Sequence, residues 1–246
     1  MLMNTDWSVR ECSEPWELEA LFRFRYAEYV EKKGLFENVA DHKNRFLKDT
    51  IDTFATNFAA FDGNNEVIGS IRFNGFDRFV QNFCITEFRI LDVSPLTMER
   101  GGVVTRAMVR EDWRSKPVFS ELVLAAARSM NEKRIRWVFI DTAASRAADD
   151  EQRFLSLYAS MGFKVWRDDV LVPGAGFGAA MLLDMEAAKE NRKSLARMYL
   201  CSEAPPKRSL EKARRPLFPG ALASGREHET GTRVGIGTSE PGVWDR

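Results

Sequence analysis

The stretch AMVREDWRSKPVF, residues 107–119, connects a predicted strand to a predicted helix through a basic turn. Its apolar start completes a run over residues 103–109, and its end opens a helix over residues 117–133 with apolar residues at helical spacing. The turn carries three basic side chains, Arg110, Arg114 and Lys116. Unpaired N–H groups at a helix N-terminus and nearby guanidinium groups attract anions. We therefore predict an anion-binding strand–turn–helix unit; the alternative is a basic turn that only faces solvent.

Strands and helices alternate on both sides of this unit. On the N-terminal side the sequence predicts a strand over residues 7–12 and a helix over residues 15–30. It then predicts a hairpin whose strands cover residues 57–62 and 66–73 and whose turn lies at Gly63-Asn64. The C-terminal side predicts a strand, a helix, two strands and a further helix, over residues 137–141, 150–161, 163–166, 179–183 and from 185 onward. A hairpin followed by strand–helix units indicates an α/β fold with one central mixed sheet flanked by helices.

The bulk composition argues against several functional classes. Thirty-six Lys and Arg residues balance thirty-six Asp and Glu residues, so no overall field favours nucleic acid. No apolar run approaches the roughly 18 residues of a membrane helix, and the N-terminal segment lacks the pattern of a signal peptide. Three widely spaced cysteines and only two histidines predict a cytoplasmic protein with reduced thiols, without a disulfide framework or a metal cluster.

The composition changes near residue 202. Residues 203–246 hold five of the nine prolines in the chain and show no apolar periodicity. Such a segment buries too little apolar surface to offset the entropy lost on ordering. We therefore predict one folded domain over residues 1–202, followed by a disordered Pro/Gly-rich tail over residues 203–246.

The N-terminal half places charged residues where apolar ones are expected. Plotted at roughly 100° per residue, the first helix has Arg25 in the middle of its apolar stripe. An arginine is rarely buried without a partner, so this position requires a carboxylate or an anionic ligand. Two aspartates before the next strand and one arginine within the hairpin follow, Asp49, Asp52 and Arg72.

Four motifs occur here in a fixed order: Arg-x-x-x-aromatic, Asp-x-x-Asp, Gly-x-x-Arg and a late Leu-Tyr-x-x-x-Gly-Phe. This order resembles the GNAT-fold acyltransferases, in the branch of the acyl-homoserine-lactone (autoinducer) synthases and N-acyl amino acid synthases. The resemblance spans about residues 18–183 and implies a GNAT fold. It also implies transfer of an acyl chain from an acyl-carrier-protein or acyl-CoA thioester to the amine of a small amino-acid-like acceptor, with no permanently bound cofactor.

The resemblance implies roles for several charged and aromatic residues. Those that would line or brace the amine pocket and its N-terminal lid are Arg25, Tyr29, Asp49, Asp52, Arg72 and Arg106. Each has a structural alternative. Arg25 could form an ion pair with Asp49 or Asp52, Tyr29 could be a core residue, Arg72 could be a solvated strand residue, and the aspartates could cap a short helix.

The basic turn matches the segment that holds the thioester donor in the family. The resemblance implies that the phosphates and pantetheine of the donor contact Val109, Arg110, Arg114, Ser115 and Lys116. The usual glycine of that segment is Pro117 here, which argues against an ordinary acetyl-CoA-dependent N-acetyltransferase. That enzyme class stays open as an alternative.

Aminolysis of a thioester needs a base that removes a proton from the amine. In the autoinducer-synthase branch a glutamate lies three residues before the arginine that matches Arg106, but Val103 occupies that position here. We take Glu87 as the catalytic replacement, with Arg106, because Glu87 lies among apolar residues in the stretch FCITEFRIL, which we interpret as a strand. Glu99 is the second choice. The departure at Val103 also leaves open a relative that binds a thioester or a protein partner without catalysis.

Overall fold

The computed structural model describes residues 7–143 and 148–190. They form a seven-stranded sheet with the strand order β1-β2-β3-β4-β5-β7-β6. The strands are β1 (Trp7–Glu11), β2 (Thr56–Asp62), β3 (Val67–Gly75), β4 (Gly101–Val109), β5 (Trp137–Asp141), β6 (Lys164–Val172) and β7 (Gly176–Asp184). The predicted tail, residues 203–246, lies outside the described residues, so the predicted division at residue 202 stays a prediction.

Six α-helices accompany the sheet in the described part of the chain. They are α1 (Pro15–Arg25), α2 (Asn82–Thr86), α3 (Thr97–Arg100), α4 (Val118–Glu132), α5 (Ala148–Ser160) and α6 (Met185–Glu190). A π-helical turn, Tyr26–Glu31, continues α1, and 3₁₀ turns cover Glu37–Val39, Thr50–Thr53, Ile90–Asp92 and Glu111–Trp113. None of the helices in these two ranges is long and apolar enough to cross a membrane.

Helices cover both faces of the sheet. On one face α4 and α6 pack against apolar residues of β2 to β5 and β7, with Leu122 and Met130 of α4 fully or almost fully buried. On the other face α1 and α2 pack against a second apolar layer that contains Phe139 of β5. Because strand side chains alternate between faces, neighbouring residues of one strand serve different layers. The mixed sheet flanked by helices agrees with the prediction.

The sheet opens at its centre, between β4 and β5. These strands are parallel and pair only from Gly101–Trp137 to Val103–Phe139. On its other side β4 pairs with β3 through a bulge, because the register shifts between Ser70 and Arg72 of β3. Arg106 lies in this bulge with a left-handed φ of 55°. A bulge bends its strand, so β4 leaves β5 after three paired residues.

One predicted strand is wrong. The stretch FCITEFRIL begins with α2 and continues into a turn, in which Arg89 adopts a left-handed φ of 49°. Cys84 and Phe88 are both fully buried and lie four residues apart, which is helical spacing and not the alternation of a strand. Glu87 therefore follows a short helix and lies outside the sheet.

Candidate active site

The opening between β4 and β5 forms a cleft of about 490 Å³. Its walls come from both faces of the sheet: Phe119 of α4 and Tyr158 of α5 on one face, Tyr29 of the π-helical turn on the other. Arg106 and Asp141, from the two separated strands, also line it. A ligand in the cleft would therefore contact both layers of the protein at once.

Side chains hold the bulge on β4 in place. The Tyr29 hydroxyl donates a hydrogen bond to the Ala107 carbonyl at 3.2 Å, and the Ser70 hydroxyl donates to the Arg106 carbonyl at 2.9 Å. Burial raises the pKa of Tyr29 to about 12, so its hydroxyl stays protonated and can donate at neutral pH. The predicted site residue Tyr29 thus fixes the backbone that borders the cleft.

Five predicted site residues form one network of ion pairs beside the cleft. Arg25 binds Asp52 at 2.8 Å, and Arg72 binds Asp49 at 2.6 Å and Asp52 at 3.1 Å. Arg106 binds Asp49 at 3.1 Å. Three arginines therefore share two aspartates, and the network has a formal excess of one positive charge. Arg25 therefore forms an ion pair with Asp52, which is the alternative to direct substrate contact that the sequence left open.

The network is pre-arranged by local backbone structure. Asp49 caps the 3₁₀ turn that begins at Thr50, and the Asp52 carboxylate accepts a hydrogen bond from the Asp49 backbone N–H at 3.0 Å. Arg25 also donates to the Asn57 side chain on β2 at 2.6 Å. Burial alone would raise the pKa of Asp52, but Arg25 and Arg72 outweigh it and lower that pKa to about 2. Both aspartates therefore have fixed positions and Asp52 is ionised at neutral pH.

Arg106 connects the network to the cleft. Its guanidinium group lies 3.6 Å above the ring of Phe36, a residue with a left-handed φ of 60°, and 5.7 Å from the ring of Tyr29. The Phe36 N–H donates to the Gly174 carbonyl at 3.0 Å, which ties the segment after the π-helical turn to the β6–β7 hairpin. Burial lowers the pKa of Arg106 to about 10, which still leaves it charged at neutral pH.

The predicted donor-binding residues divide into two groups. Val109, Arg114 and Lys116 line the cleft, and α4 begins directly after them. Arg110 instead pairs with Asp112 at 2.8 Å and with Glu66 at 3.3 Å. Arg110 and Ser115 are not among the residues that line the cleft. Their role in donor binding stays a prediction.

None of the acidic residues considered from the sequence borders the cleft. Val103 is almost fully buried in the apolar layer of α1 and α2. Glu87 and Glu99 do not contribute to the cleft wall. Arg89, two residues after Glu87, pairs with Asp92 at 2.5 Å. Catalysis by Glu87 stays a prediction that the geometry does not favour.

Sequence reasoning missed several residues of the site. Asn57 and Phe36 belong to the Arg25 and Arg106 contacts, and Asp141 and Tyr158 line the cleft. The sequence held a signal for two of them. Asp141 ends the buried stretch WVFID, and Tyr158 belongs to the Leu-Tyr-x-x-x-Gly-Phe motif.

A second cavity adjoins the cleft on the α4 face. It has a volume of about 60 Å³ and is lined by apolar side chains and Tyr158. Residues common to both linings are Val104, Ala107, Phe119, Ile140 and Tyr158. The cleft therefore leads from a basic mouth to an apolar interior.

No protein-family model matches the chain, and no curated protein sequence matches it significantly. Solved structures do match. FeeM, an N-acyl amino acid synthase from uncultured soil microbes, is 17% identical with a TM-score of 0.56, over 81% of this chain and all of FeeM. MesI, a CoA-dependent acyl-homoserine lactone synthase, is 21% identical with a TM-score of 0.55, over 80% of this chain and 97% of MesI. TofI, solved in a ternary complex with an inhibitor and MTA, is 16% identical with a TM-score of 0.56, over 80% of this chain and 97% of TofI. The chain thus has the fold of acyl-homoserine-lactone and N-acyl amino acid synthases, and the predicted fold is confirmed.

Proposed function

We propose that this protein is an N-acyltransferase that moves an acyl chain from a thioester to the amine of a small amino-acid-like acceptor. The observation that carries this proposal is the cleft between β4 and β5, which is bordered by a basic mouth, an apolar cavity and a charged network. The mouth suits the phosphate of a phosphopantetheine arm, the cavity suits an acyl chain, and the network suits a charged acceptor. The fold shared with N-acyl amino acid synthases supports the same reaction.

The cleft supplies groups for each part of the reaction. Beyond Val103 the N–H groups of β4 that face β5 are not used in the ladder between these strands, so they can stabilise the thioester oxygen as negative charge develops. The amine nitrogen forms the new C–N bond and the C–S bond breaks. Burial raises the pKa of Tyr158, so its hydroxyl stays protonated and can donate a hydrogen bond to the sulfur as the C–S bond breaks.

Mass spectrometry of N-acyl products tests the proposal. The protein is expressed in bacteria and extracts are searched for N-acyl amino acids and acyl-homoserine lactones that a vector control lacks. The purified protein is then assayed with acyl-CoA and acyl-carrier-protein donors of several chain lengths. Products from medium or long chains support the proposal. Product from acetyl-CoA alone would identify an ordinary N-acetyltransferase, which would leave the apolar cavity unused.

A non-catalytic relative is the second candidate, favoured by one observation. Val103 lies where the resemblance to the autoinducer synthases leads us to expect a glutamate, and its side chain is buried in the core. A protein of this class would bind a thioester or a protein partner in the same cleft. Donor binding without any product in the assays above would favour it.

We favour an acyl carrier protein as the carrier of the acyl donor. We also favour a cytoplasmic location for this protein. Pro117 replaces the glycine of the coenzyme A form of the loop, and it lies exposed immediately before α4. The two described cysteines, Cys12 and Cys84, are free and buried, as expected for reduced thiols. Competition between acyl-carrier-protein and acyl-CoA donors at equal chain length identifies the preferred one.

Replacing Arg114 with alanine is expected to weaken donor binding. If Arg114 binds the donor phosphate, its loss removes a charge-assisted hydrogen bond of about 1.5–3 kcal/mol, or about ten- to hundredfold in Kd. Folding stability should change little, because Arg114 is exposed and its guanidinium group donates a hydrogen bond only to the nearby Val109 carbonyl within the described residues. Calorimetric titration with coenzyme A and with phosphopantetheinylated carrier protein measures the effect. Arg78→Ala, at an exposed arginine outside the cleft, serves as the control; equal Kd values for both variants would contradict the prediction.

Filling the apolar cavity is expected to shorten the acyl chains that the enzyme accepts. Ala126 of α4 lines the cavity, and Ala126→Leu adds three carbon atoms to its wall. Each methylene of the donor that loses its burial costs about 0.8 kcal/mol, or about fourfold in kcat/KM. Turnover with a series of chain lengths measures the change. Ala125→Leu, on the same helix but outside the cavity lining, is the control, and an unaltered chain-length profile for Ala126→Leu would show that the acyl chain lies elsewhere.

A further inference from the structure

Asp141 lies where the two central strands have separated. It is the last residue of β5, two residues beyond the final pair Val103–Phe139, and thus level with Thr105 on β4. It lines the cleft together with Thr105 and Arg106. A carboxylate at this point borders the gap in which the proposed reaction would occur.

The Asp141 side chain projects toward the face of the sheet on which the acceptor would bind. Phe139, two residues earlier on β5, packs in the layer of α1 and α2, whereas Ile140 packs in the layer of α4. Strand side chains alternate, so Asp141 shares the face of Phe139. Arg25, Arg72 and their aspartates lie on this same face.

The backbone around Asp141 is held firmly. One carboxylate oxygen accepts a hydrogen bond from the Ala143 N–H at 3.1 Å. Thr142 and Ala179 exchange two bonds, Thr142 N–H to the Ala179 carbonyl at 3.1 Å and Ala179 N–H to the Thr142 hydroxyl at 2.9 Å. Gly178 permits this close approach, since a Cβ there would lie 2.5 Å from the Ala143 nitrogen. A group held in this way keeps its position when substrate binds.

Within residues 7–143 and 148–190, no lysine or arginine forms an ion pair with Asp141. The charged or titratable groups near it come from four elements: Tyr29 of the π-helical turn, Cys84 of α2, Arg106 of β4 and Tyr158 of α5. Further basic groups line the same cleft, Lys33, Arg114, Lys116 and Arg153. Burial raises the pKa of Asp141, and the positive charge of Arg106 opposes that shift only in part. A carboxylate with a raised pKa is a stronger base than an ordinary aspartate.

We propose that Asp141 is the general base that accepts the amine proton. It would take the role of the glutamate that the resemblance to the autoinducer synthases implies at position 103, where this chain has Val103. This inference rests on the proposed N-acyltransferase function. The acceptor ammonium gives one proton to the Asp141 carboxylate, and the neutral nitrogen attacks the thioester carbonyl carbon. The C–N bond forms, the C–S bond breaks, and the leaving thiolate gains a proton while the nitrogen loses its second one. Asp141 then releases its proton to water, so the products are an amide, a thiol and one proton.

The test replaces Asp141 with asparagine in the full chain. Asparagine retains an oxygen for the Ala143 N–H but cannot accept the amine proton, so turnover is expected to fall about 10²–10⁴-fold. The thermal midpoint and the Kd of the donor should stay at the parent values. Asp62→Asn is the matched control, because Asp62 also ends a strand and accepts from the N–H two residues on, at 2.9 Å, but lies outside the cleft.

A pH profile separates a base from a structural carboxylate. In the parent, kcat/KM should fall toward acidic pH as Asp141 becomes protonated. In Asp141→Asn the part of this decrease that Asp141 protonation causes should be absent, which leaves only the rise of residual activity with pH that follows the fraction of free amine. Parent-like turnover of Asp141→Asn would overturn the inference, as would a loss of activity that is accompanied by weaker donor binding or a lower thermal midpoint.

Loss of activity in Glu87→Gln with retention in Asp141→Asn would assign the base to Glu87. A parent protein that makes no product from any donor would overturn the proposed function, and the inference with it.

Discussion

Replacing Asp52 with asparagine is expected to lower the free energy of unfolding by about 3–5 kcal/mol, the range for breaking a buried ion pair by removing one partner. The Asp52 side chain is 1% exposed and accepts from both Arg25 and Arg72, which are themselves 0% and 2% exposed. Asparagine would leave two buried guanidinium groups with Asp49 as the remaining carboxylate of the network. Chemical denaturation monitored by circular dichroism measures the change.

Asp92→Asn is the control for this stability prediction. Asp92 also belongs to a 3₁₀ turn and pairs with Arg89, but both side chains are about half exposed, at 43% and 53%. An exposed ion pair contributes about 0–1 kcal/mol. If Asp52→Asn also lowers the free energy of unfolding by less than about 1 kcal/mol, then Arg25 and Arg72 find other partners when a neutral asparagine replaces Asp52.

The pH dependence of stability provides an independent measure of the same ion pairs. The pKa of Asp52 is about 2 in the folded protein, against an ordinary value of 3.8. Because the folded-state pKa is lowered, the contribution is complete above about pH 4 and is lost as the pH falls from about 4 to 2. Its size is about 2–3 kcal/mol, from the free energy that corresponds to each pKa unit. The difference in stability between the parent and Asp52→Asn should therefore narrow over this acidic range.

Replacing Arg106 with methionine is expected to abolish the preference for acceptors that carry a carboxylate. The ion pair with Asp49 uses one nitrogen of the Arg106 guanidinium group, which leaves other N–H donors for a ligand in the cleft. The network also has one more positive than negative charge, so an acceptor carboxylate would balance it. Its loss should raise KM for an α-amino acid by about ten- to hundredfold, from a hydrogen bond to a charged group of about 1.5–3 kcal/mol.

The corresponding amine without a carboxylate is the control substrate for Arg106→Met. Methionine preserves much of the apolar contact with Phe36, and Asp49 retains Arg72 as a partner. The KM of the simple amine and the Kd of the donor should therefore stay near the parent values. An equal loss with both acceptors would show that Arg106 acts on the shape of the cleft and not on a substrate carboxylate.

The sequence by itself determined most of the order of the elements, and its resemblance to the autoinducer synthases named the residues that form the charged network. The alternation of strands and helices predicted a central sheet covered by helices. Arg25 within an apolar helix stripe required a carboxylate or an anionic ligand, and Asp52 supplies the carboxylate. These features depend on local spacing and on the high cost of burying an unpaired charge, both of which a sequence displays.

Only the tertiary structure decided where the cleft opens and which acidic residue borders it. The three-residue pairing of β4 with β5 and the left-handed backbone of Arg106 result from contacts between strands that are distant in sequence. Glu87 has apolar neighbours in the sequence, but Cys84, Phe88 and Ile90 face the core from a short helix and turn. Asp141 ends an ordinary buried strand in the sequence, and its place in the cleft depends on the neighbouring strand bending away. The pattern of residues fixes which face a side chain occupies, whereas strand separation depends on packing of the whole sheet.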